Sequence, residues 1–187
     1  MMEFIPEINL GIGNGWVLLV FFYIVFGILL LSFPKNVVAR LYDRSTWSEK
    51  QKILSAMGKL FIFSWFALVI LTPLNTGEVV FILGVVIYLL GLLGFVLSLL
   101  NYKDTPLDQP VTKGLYRISR NPQQVSILLS YLGISIAIGS WVALILITIG
   151  SFMSHVRVVA EEQSCLLQYG DSYRQYLERV PRYFLFL

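Results

Sequence analysis

The sequence of 187 residues predicts an all-α fold, a polytopic membrane helix bundle of about five transmembrane helices with a C-terminal cytoplasmic helical tail. Three observations predict it. The chain is 57% hydrophobic and 13% charged, with mean hydropathy +0.74, far too apolar for a soluble domain of this size. Several apolar runs reach the roughly 20 residues that a helix needs to cross a bilayer. Lys and Arg crowd into alternate connections between those runs, as the positive-inside rule requires of a spanning bundle.

The first 15 residues carry Glu3 and Glu7 and no Lys or Arg. A signal peptide would start basic and end on a small-residue cleavage site, so the first span reads as a retained anchor. That span covers 16–33 and ends at Pro34. A polar loop with Lys35, Arg40, Arg44, Lys50 and Lys52 follows. The second span covers 53–71 and stops at Thr72-Pro73. Lys59 lies about two turns inside it, and its stem is long enough to snorkel to the interface. A turn at 74–78 leads to the third span, 79–100, and a long polar loop covers 101–120. Pro and Gly at 106, 110 and 114 mark ordered turns in that loop rather than a flexible linker.

Asn121-Pro122 reads as a helix start, with Asn as cap and Pro at the first helical position. The fourth span covers 122–138, Gly139-Ser140 breaks it, and the fifth begins at Trp141. Gly84, Gly91 and Gly94 in the third span, and Gly133, Ser135 and Ala137 in the fourth, permit close helix approach. Helical periodicity runs on from the fifth span to about Tyr169. Gly170 then suits a helix end, and Asp171 the cap of a short helix carrying Tyr173, Tyr176, Leu177 and Val180 on one side.

Five spans put every Lys and Arg except Lys59 on one side of the membrane, and six would not. The N-terminus is then outside and the C-terminus cytoplasmic, in a cell membrane or the endoplasmic reticulum. The whole chain, 1–187, reads as a single integral membrane domain. One cysteine, Cys165, excludes an internal disulfide, and with one histidine, His155, it falls short of a zinc ligand set, so no metal site is expected. The net charge of +3 fits a polybasic membrane face and not nucleic-acid binding.

Chemistry is expected where charge meets the cytoplasmic edge. On a 3.6-residue wheel His155, Val159, Glu162, Leu166, Tyr169 and Tyr173 form one stripe. Arg157 and Glu161 stand at i and i+4, the spacing of an ion pair. Glu162 shares its stripe with apolar neighbours and so needs a partner: Arg120, Arg182 or a cationic ligand. A helix N-terminus at Asn121 attracts anionic groups, and paired carboxylates attract cationic ones. Together they suit a zwitterionic ligand.

These residues carry a resemblance. Gly114-Leu115-Tyr116 followed by Arg120-Asn121-Pro122 resembles the G-(I/L/P)-Y-x-x-x-R-(H/N)-P block of the isoprenylcysteine carboxyl methyltransferases and the related phospholipid methyltransferases. Glu161-Glu162, Leu166, Tyr169-Gly170, Tyr173, Tyr176 and Val180-Pro181-Arg182 resemble the acidic and aromatic tail of the same family. The likeness covers about 79–187 as a methyltransferase-like core, while the first two spans, 1–78, carry no motif. It implies S-adenosyl-L-methionine as cofactor. Gly114, Leu115, Tyr116, Arg120, Asn121 and Pro122 would line the cofactor pocket, and Glu161 and Glu162 would contact its amino-acid part or ribose. Arg182 would face the methyl acceptor, with Glu162 as the second catalytic candidate.

Asn121 stands where His is more frequent in the family, and Gln124 where many members have Tyr. The acceptor stays open between a carboxylate, an amine and a thiol on a lipophilic small molecule or lipidated substrate in contact with membrane lipids. Two other readings are an NADPH-dependent membrane reductase of the sterol reductase kind, whose tail is similar, and a non-enzymatic membrane subunit. All site expectations require Asn121 and Glu162 to meet at one pocket.

Overall fold

The computed structural model describes residues 1–4 and 6–183. The described residues form helices α1 (Trp16–Ser32), α2 (Lys35–Tyr42), α3 (Glu49–Leu71), α4 (Val79–Lys103), α5 (Pro122–Ala137), α6 (Trp141–Met153), α7 (His155–Tyr169) and α8 (Asp171–Arg179), with a 3-10 turn at Gly114–Arg117. Among the described residues three rods are long and apolar enough to cross a membrane: α3 with 23 residues, α4 with 25, and α6 running into α7, Trp141–Tyr169, with 29. α1 has 17 residues and α5 has 16, roughly 24–26 Å at 1.5 Å per residue.

Local chemistry explains most helix ends. Ser48 caps α3 through the Gln51 amide N–H, and the Gln51 side chain accepts from the Ser48 N–H, a reciprocal pair that satisfies two free donors. Pro122 starts α5, where its missing N–H has no consequence. At the α6–α7 junction the Ser154 hydroxyl donates to Gly150 O at 2.9 Å, and the rod continues past a one-residue break.

Two expectations are corrected. The 35–52 segment is not all loop, because Val37, Val38 and Leu41 share a helical face that packs on the core and so stabilises α2. Asp171 is the first residue of α8 rather than its cap. Gly170, at φ +56°, ends α7 in a backbone conformation that favours glycine.

α4 and α5 pack most closely. A Cβ at Gly84, Gly91 or Gly133 would overlap the backbone of Ala137, Ser130 or Tyr88, so only glycine allows this approach. Beside them Trp65 stacks on Tyr131 at 4.5 Å and donates its indole N–H to Ser135 Oγ at 2.8 Å. Phe22 stacks on Phe95 at 4.9 Å, which ties α1 to the same core.

The bundle has two chemically distinct ends. At one, the N-terminal segment joins the α3–α4 turn and the α5–α6 tip: Glu3 N–H donates to Gly139 O at 2.7 Å, Gly15 N–H to Thr72 O at 2.9 Å, and Asn75 N–H to Ala137 O at 3.0 Å. Residues 1–15, 72–78 and 138–141 contain no Lys or Arg. At the other end α2, the 104–121 connection, α7 and α8 converge, and the functional candidates lie there.

Candidate functional site

Asn121 occupies the cap position of α5, yet its side chain makes no capping bond. Its amide turns away from the helix. Nδ2 donates to Glu162 Oε1 at 3.0 Å and to the Arg182 carbonyl at 3.3 Å. The backbone supports that pose. Asn121 N–H donates to Ser119 Oγ at 3.1 Å, Ser119 Oγ donates to Arg182 O at 3.1 Å, and Arg120 N–H donates to Pro181 O at 2.9 Å. The connection before α5 is thereby stitched to the segment after α8.

Glu162 is 7% exposed on α7, as a carboxylate on an apolar stripe should be. Both arginines named as candidate partners reach it. Arg182 Nε donates to Oε2 at 2.9 Å, and Arg120 Nε stands 3.5 Å from Oε1. The Arg120 contact is an ion pair by distance only. Its Nε is buried and has no hydrogen-bond partner among the described residues. Two cations and an amide around one buried carboxylate compensate the cost of taking it from water.

Glu161 points to the next face of α7. Arg157 Nε lies 3.2 Å from its Oε1, the expected i,i+4 pair, and Arg157 Nη2 donates to Gln124 Oε1 at 3.0 Å. His155 Nδ1 lies 3.0 Å from the Tyr183 hydroxyl, so its ring is engaged at the edge of the site.

Tyr116 is buried with Val111, Tyr173 and Tyr176 in a small second core. Gln123 Nε2 donates to the Tyr116 hydroxyl at 2.9 Å, and the Tyr176 hydroxyl donates to Tyr116 O at 2.7 Å. Burial pushes all three phenols, Tyr116, Tyr173 and Tyr176, above the ordinary tyrosine range. The Tyr116 hydroxyl accepts, the Tyr176 hydroxyl donates, and all three present neutral ring surfaces. Gly114, at φ +58°, leaves room for the Asn101 side chain, whose Oδ1 accepts the Leu115 N–H at 3.0 Å.

These elements enclose a cavity of about 540 Å³. Of the residues singled out in the sequence, Tyr116, Arg120, Asn121, Glu161 and Glu162 line it, as do Tyr169, Tyr173 and Tyr176 of the motif tail. Gly114, Leu115, Pro122 and Arg182 stand behind the wall: Gly114 and Leu115 fix the turn, buried Pro122 starts the helix, and Arg182 holds Glu162. Arg40, Tyr102, Gln123 and Cys165 also line the cavity and were not picked from the sequence. The spacing of Val37, Val38 and Leu41 signals α2, but nothing local marks Arg40 as a site residue.

Among the known proteins compared, no curated protein and no solved structure matches this chain. A model of the phospholipid methyltransferase family matches residues 76–172, more than half of the chain. The match runs from the turn before α4 to the start of α8 and contains Tyr116, Arg120, Asn121, Glu161 and Glu162. With three rods long and apolar enough to cross a membrane, the chain belongs to the phospholipid methyltransferase family of integral membrane proteins.

Proposed function

We propose that this protein is an S-adenosyl-L-methionine-dependent methyltransferase whose acceptor is a lipophilic or membrane-embedded molecule at the cytoplasmic face. The observation that carries the reading is the meeting of Asn121 and Glu162 at 3.0 Å on the wall of one cavity. The two motif blocks, far apart in sequence, thereby contribute to one site.

The residues fit the cofactor. The cavity volume lies in the range of small-molecule sites, roughly 300–1,000 Å³. Arg120 lines it as a cation, and a guanidinium suits a carboxylate. Glu161 offers an anionic side for an ammonium or for ribose hydroxyls. Tyr116, Tyr173 and Tyr176 supply neutral aromatic walls that keep water out. When bound, the cofactor supplies a methyl group already activated on a sulfonium, so the protein's task is orientation and a dry site. Glu162 fixes Asn121 and Arg120 on the cofactor side. Arg182 stands behind the cavity wall, held on Glu162 and 28% exposed, so an acceptor would meet its guanidinium only outside the cavity.

For topology we propose five spans, with α1 and α5 completing the crossing made by α3, α4 and the α6–α7 rod. The end free of Lys and Arg then lies outside, and the basic end with the cavity is cytoplasmic. The chain functions as one membrane domain.

Calorimetry on the purified full chain tests the cofactor. S-adenosylhomocysteine should bind and NADPH should not; binding of NADPH alone would favour the reductase reading and end this one. Transfer of labelled methyl groups into a membrane lipid extract then identifies the acceptor class. A cofactor that binds without any transfer would point to a non-enzymatic subunit.

A further inference from the structure

α2 and the connection after it lie outside residues 76–172, yet Arg40 of α2 and Arg44 just beyond it line the cavity. Arg40 makes an unusual set of contacts. Its Nη1 donates to Pro106 O at 3.2 Å and to Thr105 O at 3.4 Å, and its Nη2 donates to Gln109 O at 2.9 Å. The same guanidinium lies over the Tyr102 ring at 4.8 Å and the Tyr169 ring at 5.7 Å. The Tyr169 hydroxyl in turn donates to Leu107 O at 3.3 Å.

One side chain thus joins four pieces of the cavity: α2, the turn at 105–109, the end of α4 and the end of α7. The contacts use what is particular to arginine. Its planar fork reaches several carbonyls with its edge while its face stacks on aromatic rings. A lysine ammonium is a point charge and does neither job in this way. Among the described residues Arg40 makes no ion pair, so its charge is answered by backbone carbonyls and ring faces.

We propose that Arg40 is a positioning residue that closes the ligand cavity by clamping α2 against the 105–109 turn. The inference rests on the cavity being the ligand site. It places part of that site in the first half of the chain, where the sequence carries no motif. A wall set by a clamp fixes the width of the cavity and keeps solvent from the bound ligand.

Cys165 is the only cysteine in the chain and lines the same cavity, so it reports closure without any ligand. The experiment compares the full chain with Arg40→Ala and Arg40→Lys in detergent. It measures the rate of Cys165 alkylation by N-ethylmaleimide and the kcat and KM for the methyl donor. Tyr23→Phe, which removes the hydroxyl bond to buried Tyr131 far from the cavity, controls for general loosening. In Arg40→Ala, Cys165 alkylation should rise roughly tenfold or more, and the donor KM should rise by a similar factor with kcat changed less than about threefold. Arg40→Lys should resemble Arg40→Ala rather than the parent. If Arg40→Ala does not fold, Tyr169→Leu removes one ring and one bond of the clamp and should give a smaller rise of the same kind. Alkylation within about twofold of the parent, or an equal rise in Tyr23→Phe, overturns the proposal. Full rescue by lysine overturns it too. Should the parent chain bind no adenosyl ligand, the methyltransferase reading fails while the alkylation series still decides the role of Arg40.

Discussion

Asn121 and Glu162 stand 41 residues apart in sequence and 3.0 Å apart in space. Asn121 holds the cap position of α5 without capping it, because its amide is engaged by the carboxylate of α7. The arrangement makes Glu162 the hub of the site: Arg120, Arg182 and Asn121 all converge on it.

Glu162→Gln should therefore lower stability as well as ligand affinity. The neutral amide leaves Arg120, only 10% exposed, without its counter-charge. A fully buried pair costs about 3–5 kcal/mol when broken. Arg182 is 28% exposed, so a loss of roughly 2–4 kcal/mol is expected. Thermal unfolding in detergent measures it, alongside calorimetry with S-adenosylhomocysteine. An unchanged melting temperature would mean that solvent already screens the cluster.

Gly114→Ala should destabilise the turn before α5. The φ of +58° is a left-handed conformation that costs a non-glycine residue about 1–3 kcal/mol. The added methyl would also displace the Asn101 side chain and break its bond to Leu115 N–H. Ligand affinity should fall with stability, because Tyr116 is carried by the same turn. A melting temperature equal to that of the parent would refute this account of Gly114.

The buried phenols give the protein an alkaline limit. Tyr116, Tyr173 and Tyr176 have folded-state pKa values raised by burial. In the unfolded chain each ionises near its ordinary value of about 10. Their contribution is thus fully present below that pH and is lost as pH rises above it, since the unfolded state releases protons first. Denaturant midpoints should be flat through neutral pH and fall above about pH 10, and Tyr176→Phe should soften the fall. An increase in stability above that pH would contradict the burial of these rings.

Topology is testable by labelling. In a Cys165→Ser background, a cysteine placed at Asn75 should react with an impermeant maleimide from outside. One placed at Asp108 should react only when the cytoplasmic side is opened. The reverse pattern would put the cavity on the other face of the membrane.

Legibility in the sequence tracks the range of the forces involved. The membrane class follows from the apolar runs, and the start of α5 from Asn121-Pro122, because hydrophobic burial and helix initiation depend on residues within a few positions of one another. The need of Glu162 for a partner also follows, since a carboxylate on an apolar helical stripe cannot stay bare. α2 is masked by its charges, although Val37, Val38 and Leu41 share a face.

By itself the sequence determined an α-helical membrane chain with charge at one end, and it named the carboxylate around which that end is organised. Only the tertiary structure decided that Arg120 and Arg182 share Glu162, that the Asn121 amide leaves its helix, and that Arg40 meets the carbonyls of the 105–109 turn. The reason is physical. Helical periodicity and capping act over one or two turns, whereas the partner of a buried charge is set by which distant segments the packed helices bring together.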